Sequence, residues 1–140
     1  MIVLDTNVAS ELMRAAPADR VLRWVSQQAA TEVCTTAVTL AEVRYGIGRL
    51  PPGRRRKLLW AAWDDVVAAF VDRILPFDAA AAGHYADIVV GREHAGAPIS
   101  GFDAQIAAIC RAQHVVLATR NTADFDHLDL QLANPWATNT

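Results

Sequence analysis

Short apolar segments that alternate with helical ones are the feature of this sequence that most limits its fold. Runs rich in Val, Ile and Leu predict strands at 2–4, 33–38, 73–77 and 115–118, with a weaker fifth near 130–133. Apolar side chains at helical spacing predict helices at 8–14, 18–29, 40–49, 54–70, 79–93 and 103–112. Such alternation is typical of a mostly parallel sheet with helices on both faces. We therefore expect an α/β fold, a three-layer α/β/α sandwich around a central sheet of four to five strands.

Two turns rich in proline and glycine interrupt the helical pattern, at Pro51-Pro52-Gly53 and at Gly96-Ala97-Pro98. Both are too short to separate domains, and the sequence has no internal repeat or low-complexity tract. A length of 140 residues is also usual for one domain. The sequence therefore predicts a single domain over residues 1–140.

The composition, with 53% hydrophobic and 20% charged residues, is that of a globular protein with a substantial core. No apolar run reaches the roughly 18 residues that a membrane-spanning helix needs, and no leader-like segment begins the chain. We therefore expect a cytoplasmic protein without membrane contact. Cys34 and Cys110 lie far apart in apolar runs, so we expect buried, reduced thiols.

The charge pattern gives no global attraction to nucleic acid, because the net charge is -2. RNA binding would therefore depend on local arginines and on a metal ion. The four histidines have no spacing typical of metal ligands and are interpreted as surface or packing residues: His84, His94, His114 and His127.

Four acidic residues are predicted at the same end of the sheet, because each follows a strand or begins the helix after one: Asp5, Glu42, Asp103 and Asp124. In open parallel sheets, the loops at the carboxyl ends of the strands form the binding crevice. Asp5 directly follows the first strand, and Asp124 follows the fourth strand and a polar turn. Asp126 is an alternative to Asp124.

Each acid also has a purely structural explanation as a helix cap. Asp5 precedes a helix, Thr39-Leu40-Ala41-Glu42 has the pattern of a capping box, and Ser100-Gly101-Phe102-Asp103 is a similar arrangement. Capping, however, does not require the acids to converge. Two carboxylates about 4 Å apart repel by roughly 4 kcal/mol at an effective dielectric constant of about 20, so four ionised ones need a cation or protons. Oxygen ligands favour magnesium, manganese or calcium over zinc.

Five segments in this order resemble the PIN-domain ribonucleases, and specifically the VapC-like and FitB-like toxins of bacterial toxin-antitoxin pairs. The segments are Ile2-Val3-Leu4-Asp5-Thr6-Asn7 with Ser10, Ala41-Glu42-Val43-Arg44-Tyr45-Gly46, Asp103-Ala104-Gln105-Ile106-Ala107-Ala108, Thr119-Arg120-Asn121-Thr122-Ala123-Asp124-Phe125 and Asn134-Pro135-Trp136. Together they span nearly the whole chain.

The resemblance implies a PIN-like fold and a Mg²⁺-dependent or Mn²⁺-dependent endoribonuclease that cuts RNA when its cognate antitoxin is absent. The implied metal and catalytic residues are Asp5, Glu42, Asp103 and Asp124. The implied supporting residues, which would orient carboxylates or water, are Thr6, Asn7, Thr119 and Asn121. The resemblance further implies a homodimer, a possible higher toxin-antitoxin assembly, and contact with promoter DNA only through the antitoxin.

Basic residues near these segments have two interpretations. Arg44 and Arg120 lie beside the acids in sequence and could bind RNA phosphate, but solvent-facing arginines explain them equally well. The run Arg54-Arg55-Arg56-Lys57 could bind the RNA backbone or form a solvated helix face.

Other functions remain as alternatives at this point. Phosphatases of the haloacid dehalogenase type need a second aspartate where this chain has Asn7, and they and receiver domains need a lysine, for which Lys57 is the only candidate. A non-catalytic binding module, a stand-alone RNA-processing nuclease and a DNA nuclease also remain, although DNA nucleases with such acids are generally larger.

Overall fold

The computed structural model describes residues 1–137, so the last three residues of the predicted 1–140 domain lie outside the described residues. The strands are β1 (Ile2–Leu4), β2 (Val33–Thr36), β3 (Arg73–Leu75), β4 (Val116–Ala118) and β5 (Leu132–Ala133). The α-helices are α1 (Thr6–Leu12), α2 (Asp19–Ser26), α3 (Ala37–Gly48), α4 (Arg54–Phe70), α5 (Ala79–His94) and α6 (Gly101–Gln113). Two short 3-10 helices cover Ala30–Glu32 and Thr122–Phe125.

All five strands are parallel and lie in the order β3-β2-β1-β4-β5. The central strand β1 has Ile2 opposite Val33 on one side and Val116 on the other. The chain first builds the sheet outward through β2 and β3, and then returns to add β4 and β5 on the opposite side. In parallel sheets, ligands bind where the strand order reverses, at the carboxyl ends. In this fold that point lies between β1 and β4.

Each face of the sheet carries its own hydrophobic cluster, which confirms the predicted three layers. Leu4 packs on one face with α1 to α4, where Trp63 is 2% exposed. The adjacent Val3 points to the opposite face, where α6 contributes a continuous buried run from Ile106 to Cys110. Alternation of side chains along β1 thus places neighbouring residues in separate cores. Cys34 and Cys110 are free and buried, as predicted.

Helix caps explain the changed starts of α1 and α3 and the changed end of β2. Strand β2 ends at Thr36 instead of residue 38, because the Thr36 hydroxyl accepts a hydrogen bond from the Thr39 N–H and starts α3 at Ala37. The capping box predicted for Thr39 and Glu42 is therefore wrong. Helix α1 begins at Thr6 instead of residue 8, because the Asp5 side chain caps it. No helix within residues 1–137 is long and apolar enough to cross a membrane.

Candidate active site

An acidic cleft of about 570 Å³ opens beside the ends of β1 and β4. Its walls are formed by Asp5, Thr6, Asn7, Ser10, Glu11, Arg14, Glu42, Asp103, Arg120, Asn121 and Trp136. Three of the four acids that the sequence predicted line this cleft, namely Asp5, Glu42 and Asp103, whereas Asp124 does not. The cleft occupies the position at which the strand order reverses.

Asp5 is the most deeply held acid of the cleft, with only 4% of its surface exposed. One carboxylate oxygen accepts the Thr6 N–H at 2.8 Å, which caps α1, and the other accepts the Thr119 hydroxyl at 2.8 Å. Because α1 starts directly after β1, the residue that caps α1 also lies at the edge of the sheet where the cleft opens. Asp5 is therefore both a helix cap and a cleft residue, and the two interpretations of the sequence do not exclude each other.

Burial raises the pKa of Asp5 from 3.8 to about 6. Hydrogen bonds from Thr119 and from the Thr6 backbone oppose this rise, while the charges of Asp103 and Glu42 add to it. The carboxylate is thus oriented by donors, but within residues 1–137 no positive partner keeps its pKa low. A cation in the cleft would stabilise the ionised form.

Thr119 connects the loop after β4 to the start of α1. This fully buried hydroxyl donates to Asp5, and it accepts the Asn7 side-chain amide at 3.2 Å and the Asn121 N–H at 3.2 Å. The side-chain oxygen of Asn7 in turn accepts the Arg120 N–H at 3.2 Å. A hydroxyl has one proton to donate and two lone pairs to accept with, so Thr119 is fully used. These contacts fix the position of Asp5.

Glu42 lies in the second turn of α3 and is held from α1. The Thr6 hydroxyl donates to Glu42 Oε1 at 2.8 Å, and the buried Thr39 hydroxyl lies 3.3 Å from that of Thr6. The capping residue of α3 is Thr36, so the Glu42 carboxylate is not needed at the helix start. It faces the cleft instead.

Asp103 and Asp124 form the opposite side of the site. Asp103 lies in the first turn of α6, where its N–H donates to the capping Ser100 hydroxyl at 3.2 Å, as the sequence suggested. Burial raises the pKa of Asp103, and the charge of Asp124 adds to this effect against the Ser100 hydrogen bond. Asp124 lies exposed on the Thr122–Phe125 helix, and Asp126 follows the end of that helix. Asp124 is thus close enough to act on Asp103 without lining the cleft.

Arg92 on α5 joins the segments that carry these two acids. Its guanidinium donates to the main-chain oxygen of Ala97, which precedes α6, at 3.1 Å, and to the main-chain oxygen of Asp124. One side chain therefore links the loop before Asp103 to the turn that contains Asp124.

Sequence reasoning missed Glu11, a buried carboxylate in the cleft wall that is 7% exposed. Glu11 accepts the Ala18 N–H at 2.9 Å and pairs with Arg14 at 3.2 Å, and the Ala18 hydrogen bond, with help from Arg14, lowers its pKa. The spacing of Glu11 and Arg14, three residues apart on one helix, was the available signal. This carboxylate joins α1 to α2 and is already neutralised.

The two arginines that the sequence placed beside acids have different positions in the structure. Arg120 lines the cleft, and its guanidinium carbon lies 5.0 Å from the centre of the Trp136 ring. Arg44 does not line the cleft, and it lies over Trp60 at 5.3 Å. Arg44 follows Glu42 by two positions, which places the two side chains about 200° apart around α3. The prediction of a phosphate contact by Arg44 therefore has no support in the geometry.

The basic run at the start of α4 lies outside the acidic cleft. Arg54 and Arg55 line a separate apolar depression together with Leu58. Lys57 is exposed and is not part of the cleft wall, so the lysine that a phosphatase or receiver domain needs is not at the acids.

The donor set of the cleft fits a hard divalent cation. Within residues 1–137, no three acidic, histidine or cysteine side chains lie close enough to bind one ion in their present positions. Mg²⁺ usually retains several waters and binds through one or two carboxylates, so it does not need such a cage. Carboxylates with amide and hydroxyl neighbours match Mg²⁺ or Mn²⁺, whereas zinc prefers imidazole or thiolate ligands.

Comparison with known proteins agrees with this geometry. The PIN domain model matches residues 2–130. VapC ribonuclease Y4jK of Sinorhizobium fredii is 39% identical over 97% of this chain and 98% of its own length, and toxin FitB of Neisseria gonorrhoeae is 36% identical over 97% and 99%. The solved structure of FitAB bound to an IR36 DNA fragment superposes with a TM-score of 0.90 at 35% identity, covering 100% of this chain and 99% of the other. The chain therefore belongs to the PIN domain family.

Proposed function

We propose that this protein is a metal-dependent endoribonuclease that hydrolyses RNA phosphodiester bonds, and that it is the toxin of a toxin-antitoxin pair. The observation that carries the proposal is the convergence of Asp5, Glu42 and Asp103 in one cleft at the point where the strand order reverses. The ribonuclease and toxin names of its full-length relatives support the same reaction and role.

The residues of the cleft have distinct parts in this reaction. Asp5 and Glu42, each oriented by a hydroxyl donor, and Asp103 are the carboxylates that would hold the cation, one or two of them directly and the rest through its water ligands. A divalent cation supplies positive charge opposite the phosphate and makes an attacking water easier to deprotonate. One of the carboxylates accepts the proton of that water. Thr119 and Asn7 keep Asp5 in position during the reaction.

The directions of the helices add to this electrostatic arrangement. Helices α1 and α3 begin directly after β1 and β2, so their amino-terminal ends lie at the same edge of the sheet as the acids. The free N–H groups at such ends carry partial positive charge and favour a bound phosphate. Because the Asp5 carboxylate and the Thr36 hydroxyl already cap α1 and α3, these helix ends mainly offset the negative charge of the acids.

A cognate antitoxin is the proposed protein partner. An apolar depression of about 240 Å³ continues from the acidic cleft between α1, α3 and α4, and it shares Thr6, Ser10, Arg14 and Glu42 with it. A peptide in this depression would contact the catalytic side chains. The superposition on FitAB bound to a DNA fragment supports a toxin-antitoxin assembly that binds DNA. The homodimer that the family resemblance implies stays a prediction.

Cleavage of a mixed-sequence RNA by the purified chain tests the enzymatic proposal. We expect cleavage with Mg²⁺ or Mn²⁺, none with EDTA, and a rate for Asp5→Asn lower by roughly a thousandfold, since a catalytic metal contributes several kcal/mol. Equal cleavage under all these conditions would contradict the mechanism. No cleavage by the wild-type chain would instead indicate a non-catalytic binding module. Growth arrest that is relieved by the product of the adjacent reading frame would test the toxin role.

A further inference from the structure

Two arginines line the acidic cleft, and only one of them is neutralised. Arg14 forms an ion pair with Glu11 at 3.2 Å. Arg120 takes part in no ion pair within residues 1–137, and its side chain is exposed. Arg120 is therefore a cation that remains available to a ligand in a cleft with three unpaired carboxylates.

Trp136 gives Arg120 a rigid support. The Arg120 guanidinium lies over the Trp136 ring at 5.0 Å, and the half-buried ring packs against the core cluster of α1 to α4. The Trp136 N–H donates to Asn134 Oδ1 at 2.9 Å, and its main-chain oxygen accepts from Arg20 at 2.7 Å. Both members are thus fixed through their main chains, because Arg120 N–H also bonds to Asn7.

We propose that Arg120, held over the Trp136 ring, is the residue that binds a phosphate of the RNA strand as it crosses the cleft. This inference rests on the proposed function, since it requires RNA at the acids. A guanidinium presents paired donors that match two phosphate oxygens. Contact with the indole restricts the position of the guanidinium before RNA binds, which lowers the entropy lost on binding. Trp136 is therefore a positioning residue that acts through Arg120.

A purely structural role for Arg120 would be to neutralise Glu11, whose pKa its charge helps to lower. The Ala18 N–H and Arg14 act more strongly on the same carboxylate, so Glu11 does not depend on Arg120. The test must nevertheless separate substrate binding from a general effect of charge or stability.

Arg44 provides the matched control, because it is stacked on Trp60 in the same manner but lies outside the cleft. The variants Arg120→Ala, Arg120→Lys, Trp136→Ala, Trp136→Phe and Arg44→Ala are compared on a short single-stranded RNA of mixed sequence. Steady-state cleavage with Mg²⁺ gives kcat and KM, and binding with Ca²⁺ at several salt concentrations gives the salt dependence of affinity.

We expect Arg120→Ala to raise KM on the order of tenfold with little change in kcat. It should also reduce the slope of log affinity against log salt by about 0.7, the value for one phosphate contact on a single strand. Trp136→Ala should raise KM roughly threefold without changing the salt slope, because the charge of Arg120 remains. Arg120→Lys should keep the salt slope of the wild type but raise KM, because lysine retains the charge without the paired donors. Trp136→Phe should keep both the salt slope and the KM of the wild type.

Unchanged KM and salt slope in Arg120→Ala would overturn the inference while leaving the nuclease proposal intact. Equal effects of Arg44→Ala and Arg120→Ala would also overturn it, because they would show a general effect of charge. If the wild-type chain cleaves no RNA, the proposed function fails and the phosphate contact fails with it. Thermal unfolding of Trp136→Ala shows whether a raised KM comes from loss of the fold or only from loss of the Arg120 position. Trp136→Phe keeps an aromatic ring under Arg120 and so serves as the conservative variant.

Discussion

The two sides of the candidate active site are built in different ways. On the side of β1 and β4, Asp5 is 4% exposed, follows the central strand and accepts bonds from Thr119 and from the backbone. On the opposite side, Asp124 is exposed on a single-turn helix that Arg92 attaches through a main-chain oxygen. Groups on rigid elements are held more accurately than groups on loops. The first side therefore sets the position of a cation, and the second side can adapt to what binds.

Because Asp5 is buried and Asp124 is exposed, we expect ionised Asp5 to destabilise the folded protein in the absence of metal, whereas Asp124 should not. The pKa of Asp5 in the folded state, about 6, exceeds the reference value of 3.8, so the folded state binds the proton more tightly than the unfolded state. The resulting penalty is fully present above about pH 6, decreases as the pH falls from about 6 to about 4, and is absent below about 4. Asp5→Asn should therefore raise the free energy of unfolding at about pH 8 by up to about 3 kcal/mol.

Denaturant unfolding in EDTA at several pH values measures this effect. The exposed Asp124→Asn is the control, and its unfolding free energy should stay within about 0.5 kcal/mol of wild type. A gain for Asp5→Asn that persists undiminished at about pH 4 would show that its cause is not ionisation.

The second prediction concerns the orientation of Asp5 rather than its charge. Thr119→Val keeps the shape of a buried side chain but removes the hydroxyl that donates to Asp5. Loss of such an orienting partner typically weakens metal affinity or activity by about 10-fold to 100-fold. Mn²⁺ binding followed by electron paramagnetic resonance should show this loss, and Thr122→Val in the adjacent turn should not. Equal Mn²⁺ affinity in Thr119→Val and wild type would show that the Thr119 hydroxyl does not hold Asp5 for metal binding, and would contradict the proposed difference between the two sides of the site.

The smallest expected effect belongs to the adaptable side. Asp124 acts electrostatically on Asp103, so Asp124→Asn should lower the rate of RNA cleavage by roughly tenfold, the lower end for a residue that supports a metal site. Asp126→Asn should change the rate by less than about twofold, in the range of an ordinary surface substitution. The reverse order of the two rates would assign the fourth acid to Asp126.

The fold was largely predictable because parallel sheets leave strong sequence signals. A continuous apolar run predicted β1, and apolar side chains at helical spacing predicted the whole range of α4. The alternation of strands and helices predicted the three layers. Predicted boundaries were wrong where a short polar side chain caps a helix. Thr36 has the composition of a strand residue, but its hydroxyl caps α3, and Asp5 caps α1 two residues earlier than expected. Such caps depend on local geometry that apolar periodicity does not encode.

The candidate site was less predictable than the fold. Residues directly after strands, such as Asp5 and Thr119, could be placed at one edge by topology alone. The pairing of Glu11 with Arg14 and the stacking of Arg120 on Trp136 could not, because they depend on where the helix after β1 and the segment after β5 pack. For Arg44, nearness in sequence to Glu42 was misleading, since two steps along a helix reverse the direction of a side chain.

The wall shared by the acidic cleft and the apolar depression has one further consequence. Thr6 and Glu42 belong to both, so a peptide in the depression and an RNA strand at the acids would compete for the same surface. Inhibition would then raise KM and leave kcat unchanged, without any signal relayed through the fold. Substitutions of Thr6 or Glu42 that weaken the inhibitor would also remove contacts that the chemistry requires. Escape from control would thus tend to carry its own loss of activity.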